Sequence, residues 1–439
     1  MGQSRLGEFN DDQTEEVRLK HLANINPSKS NVSHLPPETL VSFVPLADFG
    51  TDGEIHDTEA RPLEEVYDGY TYFQEGDIAI AKITPSFENE KGAICTGLEN
   101  GIGFGTTELH VIRPSQDTNT RYLWYALRTK PFMDLGEASM RGVAGQQRVP
   151  EEFVGNFEIP YYPLERQREI ADFLDFNTRK INELIEKNQR LIELLDEKRD
   201  AEISEVVTKG VHSDVEMMDS GIDWIGDVPA HWDKYRIGSL IEEVKNPVKV
   251  KEDEIYQEIG IRSFGKGIFH KDPVTGEQIG SKNVFEVVEE ALIFNIVFAW
   301  EGAVAVSSAD EREMIASHRF PMYVPRVNNI NLNYLKLFFT HGYGSGVLDW
   351  HSYGAAGRNR TLNREAMLSE EFWIPPKEEQ DEIVHYLQDV LNNIEKLAES
   401  LKREIELLNE KRRSLITKAV MGEIDLSEWH YPDKQERTS

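Results

Sequence analysis

The chain has 439 residues, 39% hydrophobic and 29% charged, which is long enough for two or more soluble domains. Its only cysteine, Cys95, excludes an internal disulfide and a multi-cysteine metal site. The net charge of −30 by itself argues against a nucleic-acid partner, because phosphate binding favours basic surfaces. Both a solvated acidic surface and adaptation to a salty cytoplasm would explain this charge.

A cytoplasmic protein is the simplest expectation from the distribution of apolar residues. No apolar run approaches the roughly 20 residues that a membrane span needs. The first residues, MGQSRLGEFNDDQTEEV, lack the apolar stretch of a signal peptide.

Residues 1–160 are predicted to form a mixed α/β domain. Asp77–Thr84 alternates between apolar and polar residues, as strands do, and Leu109–Ile112 is a second strand after the glycine-rich Gly101–Gly105. Arg121–Arg128 is predicted to be a short helix.

Residues 161–210 are predicted to form one long helix, since no Gly or Pro interrupts the segment between Pro163 and Gly210. Apolar residues recur there in steps of 4 and 3, the pattern of a coiled-coil seam. An ordinary amphipathic helix packed on its own domain is the alternative. The predicted seam residues are Ile170, Leu174, Ile181, Leu184, Leu191 and Leu195.

Residues 211–375 are predicted to form a polar linker and a second mixed α/β domain. Lys209–Gly226 is acidic, the apolar run Ala291–Trp300 suits a buried strand, and Asn333–Phe339 suits a short helix. Residues 376–422 then form a second long helix, followed by a tail over residues 423–439. Its predicted seam residues are Ile383, Leu387, Ile394, Leu397, Leu401 and Leu408.

The two long helices are copies of one another. Gln167–Val207 aligns without a gap with Gln380–Val420, and 17 of the 41 positions are identical, where chance would give two or three. The similarity continues more weakly upstream, where the segment Ala47–Gly50 corresponds to Arg262–Gly265. The chain is therefore an internal duplication, in which each half is a variable region followed by a segment that has stayed alike.

Motifs for catalysis are not found. Gly260–Gly267 nearly fits a phosphate-binding loop, but Gly267 replaces the hydroxyl residue that would hold Mg²⁺. The histidines show no HExxH pair, no GxSxG elbow presents a serine, and Cys95 lies in an apolar strand-like run. A binding protein is therefore favoured over an enzyme.

Polar loops at matching positions of the two halves suggest what is bound. Arg forms bidentate hydrogen bonds with guanine, and Asn and Gln with adenine, in the major groove. Glycines beside them would let the backbone approach phosphates. The candidate DNA-binding residues are Lys82, Thr84, Ser86, Asn89, Lys91, Arg141, Gln146, Gln147, Arg148, Arg262, Lys266, Arg319, Arg358, Asn359 and Arg360.

The chain resembles the specificity (S) subunits of type I restriction–modification systems over nearly its whole length. The most specific segments are GDIAIAKITPSFENEKGA at Gly76–Ala93, AGQQRVPEEF at Ala144–Phe153 and IPYYPLERQREIADFLD at Ile159–Asp175. SGIDWIGDVPAHW at Ser220–Trp232 is similar to the usual start of a target-recognition domain, and IPPKEEQDEIVHYL at Ile374–Leu387 to the start of a spacer helix.

The resemblance implies an α+β fold with pseudo-two-fold symmetry, in which two target-recognition domains are joined by two long helices that pair as an antiparallel coiled coil. It implies a non-catalytic subunit that reads both halves of a split target in double-stranded DNA. Two methylation (M) subunits would dock on the duplicated helices, and restriction (R) subunits would join through the complex. S-adenosylmethionine, ATP and Mg²⁺ would be bound by those partners, with no cofactor in this chain.

Two alternative functions fit the acidic composition. One is an assembly scaffold that no longer binds DNA, and the other is a DNA-mimicking inhibitor of a restriction–modification complex. The two recognition-like regions argue against the inhibitor.

Overall fold

The computed structural model describes residues 15–143, 145–222, 225–354 and 360–429. The chain divides into two compact units, and each takes one part of both long helices. Unit 1 comprises residues 1–189 and 402–439, and unit 2 comprises residues 190–401. The predicted fold of two mixed α/β domains and two long helices is therefore present. No helix among the described residues has the length and apolarity that a membrane crossing requires.

Unit 1 contains two four-stranded sheets. One has the order β2-β9-β6-β7 and is antiparallel throughout, and the other has the order β4-β3-β8-β5 with β3 and β8 parallel. Strands β1 and β10 pair separately and bring the two ends of the domain together. The strands are β1 (Glu15–Arg18), β2 (Ala23–Ile25), β3 (Leu40–Val44), β4 (Glu59–Pro62), β5 (Thr71–Gln74), β6 (Ile78–Ala81), β7 (Gly92–Ile94), β8 (Ile102–Gly105), β9 (Leu109–Pro114) and β10 (Glu158–Tyr161).

Unit 2 repeats the first of these sheets with the order β14-β23-β20-β21, again antiparallel. Its remaining strands form two-stranded pairs, of which β13 with β26 repeats the closure of β1 with β10. The strands are β11 (Met217–Asp219), β12 (Asp227–Pro229), β13 (Asp233–Arg236), β14 (Ile241–Val244), β15 (Ile255–Tyr256), β16 (Ile259–Ile261), β17 (Ile268–His270), β18 (Val274–Thr275), β19 (Val284–Glu286), β20 (Leu292–Phe294), β21 (Val304–Val306), β22 (Ile315–Ser317), β23 (Met322–Pro325), β24 (Ser352–Tyr353), β25 (Thr361–Leu362) and β26 (Glu371–Ile374).

The helices repeat in the same order in both halves of the chain. In the first half they are α1 (Leu19–Leu22), α2 (Leu63–Val66), α3 (Thr120–Ala126), α4 (Lys130–Ser139), α5 (Glu151–Asn156) and the long α6 (Leu164–Lys209). In the second half they are α7 (Ile237–Leu240), α8 (Gly276–Ile279), α9 (Leu332–Thr340), α10 (Gly342–Trp350), α11 (Arg364–Ser369) and the long α12 (Lys377–Val420).

One predicted strand is shorter than expected. The apolar run Ala291–Trp300 holds only the three residues of β20, and Ala299–Glu301 turns as a 3₁₀ helix. Gly302, with a φ of 71°, ends that turn in the left-handed region that glycine adopts without a Cβ clash. Hydrophobicity alone does not distinguish a buried strand from a buried turn, so the prediction extended the strand too far.

The core of unit 1 is completed by both long helices. Ile170 and Leu174 of α6 and Ile416, Ala419 and Val420 of α12 are at most 2% exposed in one apolar cluster. Each fully buried Ile, Leu or Val side chain contributes roughly 1.5–3 kcal/mol of hydrophobic stabilisation. The beginning of α6 and the end of α12 thus belong to the same core.

In unit 2 the parts of the two helices are exchanged. Ile203, Val206 and Val207 from the end of α6 share a cluster with Ile383 and Leu387 from the beginning of α12. Because a start packs with an end in each unit, the helix segments run antiparallel within it, as the resemblance implies.

Hydrogen bonds tie the two helices within each unit. In unit 1 the Arg412 Nη1 donates to Asn182 Oδ1 at 2.7 Å, and in unit 2 the Tyr386 hydroxyl donates to Glu202 Oε1 at 2.7 Å.

The middle of the predicted seam needs a correction. Leu184, Leu191 and Leu397 are 46%, 47% and 50% exposed, and the neighbouring Ile185 and Ala398 lie on the more buried side. Residues three and four positions apart are both neighbours on a helix face. The apolar spacing therefore did not determine whether Leu184 or Ile185, and Leu397 or Ala398, is the more buried residue. Among the other predicted seam residues, Ile170, Leu174, Ile181, Ile383, Leu387 and Leu401 are buried, and Leu195, Ile394 and Leu408 are half-buried.

A buried glutamine attaches the start of α6 to the mixed α/β domain that precedes it. Gln167 is 1% exposed, and its Oε1 accepts a hydrogen bond from Asn119 N at 2.7 Å. Its Nε2 donates to the carbonyls of Tyr162 at 2.8 Å and Asp117 at 3.4 Å. Asn119 in turn caps α3, so one amide joins the long helix, the strand that precedes it and the short helix.

The same connection exists at the start of α12. Gln380 is fully buried, and its Oε1 accepts from Asn331 N at 2.7 Å. Its Nε2 donates to Pro375 O at 2.8 Å and Asn329 O at 3.0 Å. This pair of glutamines, identical in the aligned repeats, therefore has one structural task in both halves.

We expect Gln380→Ala to destabilise unit 2 by about 3 kcal/mol, because it removes a fully buried side chain and leaves one N–H and two carbonyls without their partner. The exposed Gln388 on the same helix is the matched control, and Gln388→Ala is expected to change stability by less than about 0.5 kcal/mol. Urea denaturation monitored by circular dichroism measures both. Equal midpoints for the two variants would contradict the assigned role.

Candidate nucleic-acid interface

The structure brings two predicted DNA-binding loops of unit 1 together. Thr84 N donates to Gln147 O at 3.0 Å, Val149 N donates to Lys82 O at 2.8 Å, and Ile83 forms an isolated bridge with Arg148. Segments some 60 residues apart in the chain thus form one surface next to the end of β6, although nothing in their spacing indicated this contact.

The charges on this surface are partly neutralised. Arg148 donates from Nε and Nη2 to both carboxylate oxygens of Glu108, at 2.8 and 2.7 Å. These hydrogen bonds hold the pKa of Glu108 below its usual range, and burial lowers the pKa of the Lys82 amine. The guanidinium group of Arg148 is therefore already paired with a carboxylate. Arg141 is exposed and has no carboxylate within ion-pair distance in the described part of the chain.

The remaining predicted residues of unit 1 belong to a closed loop between β6 and β7. Lys91 N donates to Ser86 O at 3.0 Å, and Asn89 N donates to Pro85 O at 3.1 Å. The Lys91 Nζ points back to Ala47 O at 3.2 Å. Asn89 is exposed, whereas Lys91 holds the loop on the protein.

Sequence reasoning missed the group that attaches this loop to α12. Glu90 is 8% exposed and accepts hydrogen bonds from Arg128 Nη2 at 2.8 Å and Arg413 Nε at 2.7 Å. Burial alone would raise the pKa of Glu90, but Arg128 and Arg413 hold it below the ordinary value of 4.5. The loop is therefore positioned by a charged contact with the long helix.

A third arginine lies beside this pair. Burial and the charge of Arg128 lower the pKa of Arg412, whose buried Nε has no hydrogen-bond partner among the described residues. Arg412 corresponds to Arg199 in the alignment of the two long helices, where both belong to the repeated sequence Glu-Lys-Arg. This repeat is the signal in the sequence that could have indicated the importance of Arg412. The variable loop that supplies the carboxylate carries no such signal.

In unit 2 the predicted residues surround the segment between β20 and β21. Arg262 is exposed, with its guanidinium 5.2 Å from the Phe269 ring centre. Arg360 lies 5.1 Å from the Trp300 ring centre and pairs with Asp349 at 2.7 Å.

Arg319 belongs to the same region of unit 2. Its carbonyl accepts from Ile296 N at 3.0 Å, and Ile296 O accepts from Leu362 N at 2.8 Å. Arg319 and Lys266 are exposed, and no ion pair is found for either within the described residues. Arg358 and Asn359 lie outside the described residues.

Together these positions leave four exposed cations without a carboxylate partner in the described ranges, while Glu108 and Asp349 occupy two others. This arrangement can bind phosphates or base edges locally despite the net charge of the chain. The four are Arg141, Arg262, Lys266 and Arg319.

Other chemistry is not visible at this surface. Within the described parts of the chain, no group of three or more His, Cys, Asp or Glu side chains could hold a metal ion. Cys95 is buried, and burial raises the pKa of its thiol, which makes it a poor nucleophile.

Comparison with known sequences places both halves in one family. The family profile described as type I restriction modification DNA specificity domain matches residues 13–194 and 229–407. The specificity subunit of the type I restriction enzyme EcoAI of Escherichia coli is 48% identical over 162 residues, 36% of this chain and 27% of that protein. The EcoEI specificity subunit of Escherichia coli is 44% identical over 158 residues, 35% of this chain and 26% of that protein. The matches thus span about a quarter of these curated relatives.

Solved structures share the fold. A chain from a structure of complex assembly and conformational transition of the type I R-M system superimposes with a TM-score of 0.70 and 16% identity, covering 95% of this chain and all of the other. The HsdS subunit from Thermoanaerobacter tengcongensis has a TM-score of 0.53 and 16% identity, covering 94% of this chain and 98% of the other.

We expect Glu90→Gln to destabilise unit 1 by about 3 kcal/mol at neutral pH, because three arginines then face each other without a carboxylate. Since the folded-state pKa of Glu90 is lowered, its contribution is complete above the ordinary Glu value and is lost as the pH falls through the folded-state pKa. The difference from the wild type should therefore shrink in acid.

Urea denaturation at a series of pH values measures this effect. Glu99→Gln, at an exposed position of the same unit, is the control and should leave the midpoint within experimental error. A constant difference between Glu90→Gln and the wild type from neutral to acid pH would show that the Glu90 charge does not stabilise the loop.

Proposed function

The chain belongs to the family of type I restriction modification DNA specificity domains, and on this premise we propose that it reads a bipartite sequence in double-stranded DNA. The resemblance inferred from the sequence is confirmed by this membership, and so is the expectation of a non-catalytic specificity subunit. The reading of two half-sites and the docking of partner subunits are part of this proposal.

One observation carries the proposal: the fold contains the same recognition architecture twice. The sheets β2-β9-β6-β7 and β14-β23-β20-β21 have the same order. In both units candidate residues lie on, or in segments hydrogen-bonded to, the loop that joins the last two strands of this order, β6–β7 in unit 1 and β20–β21 in unit 2. Two copies of one framework with different loop residues suit two different half-sites. A single binding site would not require the duplication.

The loop chemistry suits the reading of base pairs. Arg141, Arg262 and Arg319 can each make a bidentate contact to guanine, and the exposed Gln146 to adenine. Arg148 and Arg360, already bound by carboxylates, are better suited to holding the loops than to contacting bases. Phosphate contacts would come from Lys266 and from backbone N–H groups in the turns.

Exposed leucines on the long helices support two equivalent partner contacts. Unit 1 carries Leu184 and Leu407, which are 46% and 54% exposed, and unit 2 carries their repeat equivalents Leu397 and Leu194, 50% and 43% exposed. Large apolar side chains at matching exposed positions are typical of a protein interface. We assign them to two methylation subunits, one for each unit.

Restriction subunits would join through that complex. S-adenosylmethionine, ATP and Mg²⁺ would be bound by the partner subunits, which would perform methylation and cleavage. The proposed contribution of this chain is the choice of the DNA sequence.

Methylome sequencing of a host that expresses this chain with its methylation subunit tests the proposal. We expect a new bipartite motif with methylated adenine in both halves, absent from the host with the methylation subunit alone. If both proteins are produced and form a complex but no motif appears, the assembly scaffold is the better description.

Replacing Leu184 or Leu397 by aspartate should each remove one methylation subunit from the complex, and the double variant should remove both. A loss of about 2 kcal/mol per contact, roughly 30-fold in affinity, is typical for a central interface side chain. Mass photometry of the purified complex measures the stoichiometry. Leu135→Asp is the control, since Leu135 is 55% exposed but lies on α4. Unchanged stoichiometry in the double variant would contradict the assignment.

A further inference from the structure

One aromatic ring of unit 2 is presented to solvent on a tight turn. Phe264 is 68% exposed at the tip of the segment between β16 and β17. An exposed ring of this size forgoes the hydrophobic stabilisation that its burial would provide.

The backbone of Phe264 is held in a conformation that is unfavourable for phenylalanine. Phe264 has a φ of 60°, in the left-handed region, where a bulky side chain is a genuine outlier. Such conformations persist only where the surroundings impose them, and they cluster at functional sites. The flanking Gly265 and Gly267, with φ of 64° and 80°, carry no such cost.

Four hydrogen bonds hold the turn of Phe264 in this conformation. Phe264 N donates to Glu301 O at 2.7 Å, and Gly265 N donates to Gly302 O at 3.0 Å. The Ser263 hydroxyl donates to Glu301 Oε2 at 2.8 Å, and the turn is closed by Arg262 N and Gly267 O at 3.0 Å. The ring thus stands on a turn that is fixed to the 3₁₀ turn after β20.

In the other half of the chain, the phenylalanine at the corresponding position is buried. The sequence alignment of the halves pairs Phe264 with Phe49, which is fully buried with a φ of −76°. Phe49 packs edge-on against Phe73, with ring centres 6.1 Å apart. One fold therefore accommodates the phenylalanine inside in one unit and presents it outside in the other.

The two cations on the turn of Phe264, Arg262 and Lys266, outnumber the one carboxylate that the described residues place beside it, that of Glu301, which accepts a hydrogen bond from the Ser263 hydroxyl. Lys266 Nζ lies 5.9 Å from the ring centre, and Arg262 lies two residues before it on the same turn. In a chain with a net charge of −30, this concentration of cations around an exposed ring suits a polyanion rather than an acidic or apolar protein surface.

We propose that Phe264 inserts its ring against the bases of the DNA half-site that unit 2 reads, next to the base contacted by Arg262, while Lys266 holds a flanking phosphate. Apolar and aromatic side chains of DNA-binding proteins enter between base steps in this way and partly unstack them. The inference rests on the proposed function and adds a residue that reads the deformability of its half-site, a contribution to sequence selection that needs no hydrogen bond of its own to a base.

The test uses the full chain with its methylation subunit and a duplex carrying the mapped bipartite motif, with 2-aminopurine placed in the half-site of unit 2. Phe264→Asn removes the ring, while asparagine tolerates the left-handed backbone. We expect its affinity to fall on the order of 10-fold, the usual effect of losing one aromatic–base stack. Its thermal stability should equal or exceed that of the wild type, because the strain is relieved.

Two comparisons separate this role from a structural one. Phe264→Tyr keeps the ring and should bind like the wild type, and both should raise the 2-aminopurine fluorescence, whereas Phe264→Asn should not. Ile255→Ala, which removes a side chain 73% exposed on β15 of the same unit, should leave affinity and fluorescence unchanged.

The outcomes distinguish this inference from the proposed function. If the wild type binds the duplex and Phe264→Asn binds equally well with the same fluorescence, the ring does not contact DNA. Loss of the methylation subunit from Phe264→Asn with unchanged DNA binding would assign the ring to a protein partner instead. If the wild type does not bind the duplex, the proposed function fails, and the inference with it.

Discussion

The attachment of each long helix to its recognition domain depends on one buried amide. Gln167 and Gln380 satisfy the same backbone groups at the start of α6 and α12, with hydrogen bonds of 2.7–3.4 Å in one unit and 2.7–3.0 Å in the other. A buried amide with all its hydrogen bonds made has one geometry, because any displacement leaves polar groups without partners. Each domain is therefore held in a fixed orientation on the start of its own long helix, although the two domains differ in almost every loop.

The arginines of the chain divide into those that hold the structure and those that are available to a ligand. Arg128, Arg148, Arg360 and Arg413 are bound by carboxylates, and they fix loops and turns. This division leaves local positive surfaces on a chain with a charge of −30, which the proposed binding of DNA requires. Potentials at a surface depend on nearby charges within roughly a Debye length, about 8 Å at physiological salt, and not on the total.

Duplication preserved the framework and let the surface diverge. The position two residues before β7 is Glu90, which pairs with Arg413, whereas two residues before β21 it is Gly302, which accommodates the backbone of Phe264. Phe49 and Phe264 similarly exchange a buried place for an exposed one. Such changes leave the shared framework intact, because these positions lie outside the antiparallel sheet and do not contact the two glutamines through a hydrogen bond.

The sequence by itself determined the duplication, the two long helices, the mixed α/β class and the family, because these follow from local periodicity and from residues repeated 213 positions apart. Only the tertiary structure decided which leucines face outward, since Leu184 and Ile185 are equally apolar and differ by 100° around the helix. It also decided which arginines are occupied and that Lys82 lies beside Gln147, because such pairs join segments far apart in the chain. The residue pattern within one segment does not show which other segment packs against it.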